Sequence, residues 1–104
     1  MFPGESQTED SMIIAACEIE LLIYESNSLK DKRQVVKSII NRLRERYNVS
    51  VSETDYLDKW NRSKIAAATV SNSMVFGAEV IDKIVGFINN DTRVEIIGVE
   101  RYVY

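Results

Sequence analysis

Hydrophobic and polar positions alternate most cleanly over residues 12–24. Ile13, Ala15, Cys17, Ile19, Leu21 and Ile23 form an unbroken apolar series, while the intervening positions include Glu18 and Glu20. A period of two predicts a strand with one buried face. The pattern then changes. Val35, Val36, Ile39, Ile40, Leu43 and Tyr47 recur at three- and four-residue spacing, which predicts a helix with one apolar stripe from Ser28 to about Tyr47. Ser28 is placed to cap it, with Asp31 completing a capping-box-like pair at the positive end of the helix dipole. Asn48, a residue tolerant of left-handed backbone, is expected to stop it.

Strand patterning returns at Val49 to about Tyr56, with Val49 and Val51 facing one way and Ser50, Ser52 and Thr54 the other. Leu57 to Asn61 reads as a connection. Arg62 to Ser71 reads as a third strand, whose alanines suggest close approach of a neighbouring element. Ser71-Asn72-Ser73 then caps a second helix to about Ile88, with Val80, Ile81, Ile84, Val85 and Ile88 as its stripe. Asn89-Asn90-Asp91 is a turn. Thr92 to Tyr104 is a last strand, with Val94 and Ile96 opposing Arg93 and Glu95. The order βαββαβ predicts an α+β, ferredoxin-like domain: a four-stranded antiparallel sheet with two helices on one face. That domain spans residues 12–104. Residues 1–11 hold the only proline, show no periodicity, and read as a flexible leader ahead of a natural start at Met12.

Composition narrows the function. At 104 residues, the chain is large enough for one modest core. No apolar run is long enough to span a membrane, and no signal peptide is visible. Cys17 is the single cysteine and sits among apolar residues, so it reads as a small buried hydrophobe. Histidine is absent. That excludes Ser-His-Asp and Cys-His nucleophilic machinery and removes the commonest metal ligand; the remaining carboxylates would suit only hard cations, and no metal or cofactor is expected. Glu53 and Asp55 are the one pair read as adjacent carboxylates on a strand face. With no cleft, glycine-rich loop or partner base evident, they give little ground for an enzyme.

Charge is where the sequence becomes specific. Of sixteen acids, three (Glu5, Glu9, Asp10) lie in residues 1–11, which hold no base; the remainder carries thirteen of each sign. From Ser28 to Tyr47 there are seven bases and only two acids, Asp31 and Glu45. At about 100° per residue, Lys30, Arg33, Lys37 and Arg44 fall within a narrow arc away from the apolar stripe, with Arg42 and Arg46 on a flank. Such a row can track phosphates. The competing reading is a solvated helix surface whose last arginines answer the dipole.

Three further features bear on partners. The sheet face left bare in this architecture offers Glu18, Glu20 and alanines, which argues against base stacking there. It leaves pairing with another subunit, or cross-strand pairs of these glutamates with Arg93 or Arg101. Trp60 is a candidate contact, though a lid over a core edge is the commoner role for such a residue. Met74, Val75 and Phe76 cannot all face the core from a first helical turn, so part of that surface is expected to be exposed or covered by a partner, consistent with a homo-oligomer such as a dimer.

The run Ser28-Leu29-Lys30-Asp31-Lys32-Arg33, then Val36, Ser38, Arg42, Asn48-Val49-Ser50-Val51, Glu53, Asp58, Trp60 and Val70-Ser71-Asn72 resembles the DUF503, or YlxP-like, family over about residues 12–104. The resemblance implies a bacterial cytoplasmic protein with a ferredoxin-like fold and supplies no catalytic residues. The family's genes commonly lie near those for translation initiation and ribosome maturation factors, which implies an RNA- or ribosome-associated role. The chain departs from the family pattern at Met74-Val75-Phe76, where more polar residues are expected.

Overall fold

The computed structural model describes residues 12–104, and the leader expected over residues 1–11 lies outside them. The elements follow the order β1 (Ile13–Ile23), α1 (Leu29–Arg46), β2 (Ser50–Asp55), β3 (Arg62–Ser71), α2 (Met74–Asn89) and β4 (Val94–Val103). The strands form one antiparallel sheet in the order β2-β3-β1-β4. Each helix is the crossover of one β-α-β unit, which places the long strands β1 and β3 at the centre.

The alternation in β1 determines the core. Ala15, Cys17, Ile19, Leu21 and Ile23 are all buried. Val36, Ile39 and Leu43 of α1 and Ile81, Ile84 and Ile88 of α2 close over them, together with Val51, Ile65, Ala67 and Val94 from the flanking strands. Burial also pushes the Cys17 thiol up from its ordinary pKa, in keeping with an inert core position. One close approach between elements is at Gly77. A Cβ there would stand 2.9 Å from the Cβ of Ala15, so glycine lets α2 lie directly on β1.

Both helix starts follow the sequence. Ser28 Oγ accepts from the Asp31 amide, and Asp31 Oδ2 accepts from the Asn27 amide. Ser73 Oγ accepts from the Phe76 amide. The end of α1 differs from expectation: Tyr47, in extended conformation, terminates it and donates its amide to Leu43, and Asn48 does not turn left-handed. Positive φ falls instead at Glu25 and Tyr56, at 55° and 61°. These residues lie in the β1–α1 and β2–β3 connections, which meet at the same end of the sheet.

The expected cross-strand pairs with Arg93 and Arg101 are not formed. Arg93 pairs with Asp91, two residues back, and Arg101 lies on the helix-covered face, where it pairs with Asp82 of α2. On the open face Glu20 pairs with Arg62 of β3, and Glu18 accepts from Tyr102 Oη at 2.7 Å.

Candidate functional site

Lys32 has a different role from the other bases of α1. It occupies the buried side of the helix and is fully enclosed. Its ammonium lies 2.7 Å from Glu53 Oε2, and it donates to the backbone oxygens of Tyr56 at 2.9 Å and Leu57 at 3.5 Å. Ser63 Oγ donates to the same Glu53 oxygen at 2.7 Å. The ammonium's three protons thus have three acceptors, the condition under which a buried charge is tolerated. The cluster ties α1 to β2, β3 and the turn whose Tyr56 carries positive φ.

This geometry removes the paired-carboxylate reading. The β2–β3 register shifts between Glu53 and Asp55. Glu53 therefore stays on the helix side, engaged by Lys32, while Asp55 pairs across to Lys64 on the open side and accepts from the Tyr56 amide. Among the described residues no group of three or more His, Cys, Asp or Glu side chains stands together as a metal site, and no helix is long and apolar enough to cross a membrane.

The remaining six bases of α1 are exposed, and among the described residues none forms an ion pair. They separate onto two flanks. Arg33, Lys37 and Arg44 line a shallow groove beside β2, sharing it with Ile40, Asn41, Ser52 and Glu53; Arg44 Nη2 donates to the Val51 carbonyl at 2.8 Å, so its guanidinium also seals the sheet edge. Lys30 continues this row at the first turn. The row thus leans toward β2 rather than facing directly outward. On the opposite flank Arg42 and Arg46 face α2, in a groove they share with Phe87 and Arg93. The Arg46 guanidinium lies 4.9 Å above the Phe87 ring centroid. Arg93 forms a bidentate pair with Asp91 and reaches Ser38 of α1 at 3.3 Å, and its hydrogen bonds hold the Asp91 carboxyl below the usual carboxylate pKa. Arg93 was expected on the sheet face, so nothing in the periodicity pointed to this flank; only the turn at Asn90-Asp91 brings it round to α1.

Trp60 does not form the expected lid. Its ring is half exposed, and the fold uses its backbone carbonyl, which accepts from the buried Ser26 hydroxyl. Met74, Val75 and Phe76 are all more than half exposed, as is Val70 of the adjoining strand. On the open sheet face, Tyr102 and Tyr104 stack with ring centroids 6.3 Å apart, beside a floor of Ala16, Ala66 and Ala68 flanked by Ser50 and Ser52. The expectation that this face lacks aromatic surface is therefore corrected at β4. The i, i+2 spacing of the two tyrosines was the available signal.

Comparison with known proteins agrees with the architecture. Over 90% of this chain and 97% of its own, a de novo designed protein, Foldit4, superposes with a TM-score of 0.52 at 14% identity. A C-terminal segment of the alpha subunit of aIF2 from Pyrococcus abyssi superposes with a TM-score of 0.50 at 16% identity, over 88% of this chain and 49% of that one. Both likenesses concern the fold alone. At the level of sequence, the uncharacterized protein YlxP of Bacillus subtilis (strain 168) is 37% identical over 83 residues, covering 80% of this chain and 90% of that protein. The model of the protein family of unknown function DUF503 matches residues 14–101, and the chain belongs to that family.

Proposed function

We propose that the protein is a non-enzymatic, cytoplasmic module that associates with RNA or with the ribosome through the exposed bases of α1. The observation that carries this reading is the absence of carboxylate partners for those bases among the described residues. Elsewhere on the molecule Arg62, Arg93 and Arg101 are each paired with an acid, and Lys59, Lys64 and Lys83, unpaired among the described residues, are scattered over the β2–β3 connection, β3 and α2, whereas the bases of α1 lie together. Six exposed cations without an ion pair, against two acids on the same helix, are a local polyanion contact, strengthened by release of counterions from the phosphate backbone. Lys30, Arg33, Lys37 and Arg44 are its principal residues.

The test is co-sedimentation with ribosomes, and binding to total cellular RNA across a salt series, for the triple variant Arg33→Glu, Lys37→Glu, Arg44→Glu. Binding should fall and its salt dependence should flatten, with thermal melting reporting whether the fold survives loss of the Arg44 contact. Retention of full binding by a folded triple variant removes the proposal.

A second reading is self-association, as a dimer, through the open sheet face and the α2 start, with Trp60, Met74, Val75 and Phe76 as contact residues. It is favoured by the exposure of the apolar α2 start beside Val70. Sedimentation velocity separates the two readings. A monomer at all concentrations counts against this one and leaves the first intact.

A further inference from the structure

Resting on the RNA reading, we infer that α1 seats in the shallow groove of an A-form RNA duplex, with the phosphates of the two strands held on its two basic flanks. The arrangement of side chains around the helix carries this inference. Arg33, Lys37 and Arg44 lie against the β2 edge, and Arg42 and Arg46 lie against α2, where Arg93 adds a further guanidinium. The two rows are therefore separated by the full width of α1, about 10–12 Å with its side chains. A single extended strand can follow one row but cannot reach both. A duplex groove presents two phosphate rows, one on each side of whatever enters it.

The ridge between the rows carries amides beside one acid, the exposed Glu45. Gln34 lies on it, and Asn41, two turns on, lies at its β2 side, where it also lines the groove of Arg33, Lys37 and Arg44; both are exposed, and neither amide makes a hydrogen bond among the described residues. Each amide offers both donors and an acceptor. The A-form minor groove is wide and shallow and displays 2′-hydroxyls, groups that amides can bind from either direction. Single-strand recognition relies instead on aromatic platforms interleaved with bases. The exposed aromatic residues Tyr24, Trp60, Phe76 and Tyr104 all lie off α1, and Phe87 beside it is occupied by Arg46. The α2 flank is net positive, because Asp91 is the one acid among its lining residues against Arg42, Arg46 and Arg93.

The experiment is fluorescence anisotropy across a salt series with four probes: a fully paired RNA hairpin, the DNA hairpin of the same sequence, and each single RNA strand. The RNA hairpin should bind at least about tenfold more tightly than either single strand. The variants Arg33→Gln/Lys37→Gln and Arg42→Gln/Arg46→Gln should each weaken hairpin binding and each lower the salt slope by about two, one for each phosphate contact removed. Gln34→Ala/Asn41→Ala should retain the salt slope while reducing the preference for RNA over DNA severalfold. Circular dichroism of each variant distinguishes lost contact from lost fold, and the single variant Arg42→Gln preserves the Arg46–Phe87 contact should the double variant unfold. Equal binding of hairpin and single strands, equal binding of RNA and DNA hairpins, or an unchanged slope on removing the α2-side arginines each overturns the duplex inference while leaving the RNA reading standing. No binding to any of the four probes overturns both.

Discussion

The two helices do the same structural job with opposite surfaces. Each starts at a serine whose side chain accepts from the third residue of the helix, and each buries a stripe of branched apolar residues over β1. Toward solvent they diverge. α1 carries seven bases and two acids; α2 carries only Glu79, Asp82 and Lys83, and opens with three exposed apolar residues. The core therefore needs only the inner stripe, and the outer surfaces are free to differ. α1 departs from this scheme at one point, where a base lies inside. Lys32 and Arg33 are neighbours in sequence, yet one clamps the fold and the other faces solvent.

The largest predicted effect separates those two roles. Lys32→Ala should cost about 3–5 kcal/mol in chemical denaturation, because it leaves Glu53 with an uncompensated charge and frees the Tyr56–Leu57 carbonyls. Lys30→Ala, two residues away on the exposed face, should change stability by less than about 0.5 kcal/mol. A Lys32→Ala protein within about 1 kcal/mol of the parent would show that the clamp contributes little to stability.

The next effect lies in α2, whose two glycines should respond with opposite signs. Gly77→Ala sets a methyl group 2.9 Å from Ala15 Cβ between two packed backbones and should destabilise by about 1–3 kcal/mol, outweighing the gain in helix propensity. Gly86 is exposed and meets nothing within 4 Å, so Gly86→Ala should stabilise by about 0.5–1 kcal/mol. Thermal melts of the pair check this. Equal signs would mean that α2 is free to move away from β1. Smaller still, Val75→Ser/Phe76→Ser should alter monomer stability by less than about 0.5 kcal/mol, since both side chains are exposed. Any large effect of that change should appear in sedimentation instead.

The residues legible in the sequence were those governed by a period. β1 alternates because one face is buried, and α1 and α2 carry a 3.6-residue stripe for the same reason, so the order of elements and both serine caps could be read directly. Glu53 was legible in part: it shares the register of Val49 and Val51, which pointed inward, but its partner Lys32 looked like one more base in a basic run. A lysine is recognisable as buried only once a carboxylate and two carbonyls converge on it, and these come from residues 53, 56 and 57 through tertiary contact. The register shift at Glu53/Asp55 had no sequence signature, and it separated two carboxylates that strict alternation placed together. Likewise the helix-facing position of Arg101 and the turn that carries Arg93 to α1 depend on the pairing of β4 with β1, which no local pattern specifies.

The open sheet face provides the finest contrast with the helix side, because its polar contacts are exchangeable with water and leave stability at neutral pH almost untouched. Tyr102 donates to Glu18, and this hydrogen bond, formed only by the protonated phenol, pushes its pKa up to about 12. The sign follows from linkage: a group whose pKa is raised on folding contributes its full stability below the unfolded value and loses it as pH rises through the folded one. The contribution is therefore present at neutral pH and disappears between about pH 10 and 12. In a spectrophotometric titration, Tyr102→Phe should remove one phenolate transition near the alkaline end. Glu18→Gln should move that transition down toward the ordinary tyrosine range, and at pH 7 each variant should lower the thermal midpoint only slightly, by the small contribution of one exposed hydrogen bond. If Glu18→Gln leaves the alkaline transition in place, the hydrogen bond is not what holds Tyr102, and the tyrosine pair is then anchored by its own stacking on Tyr104.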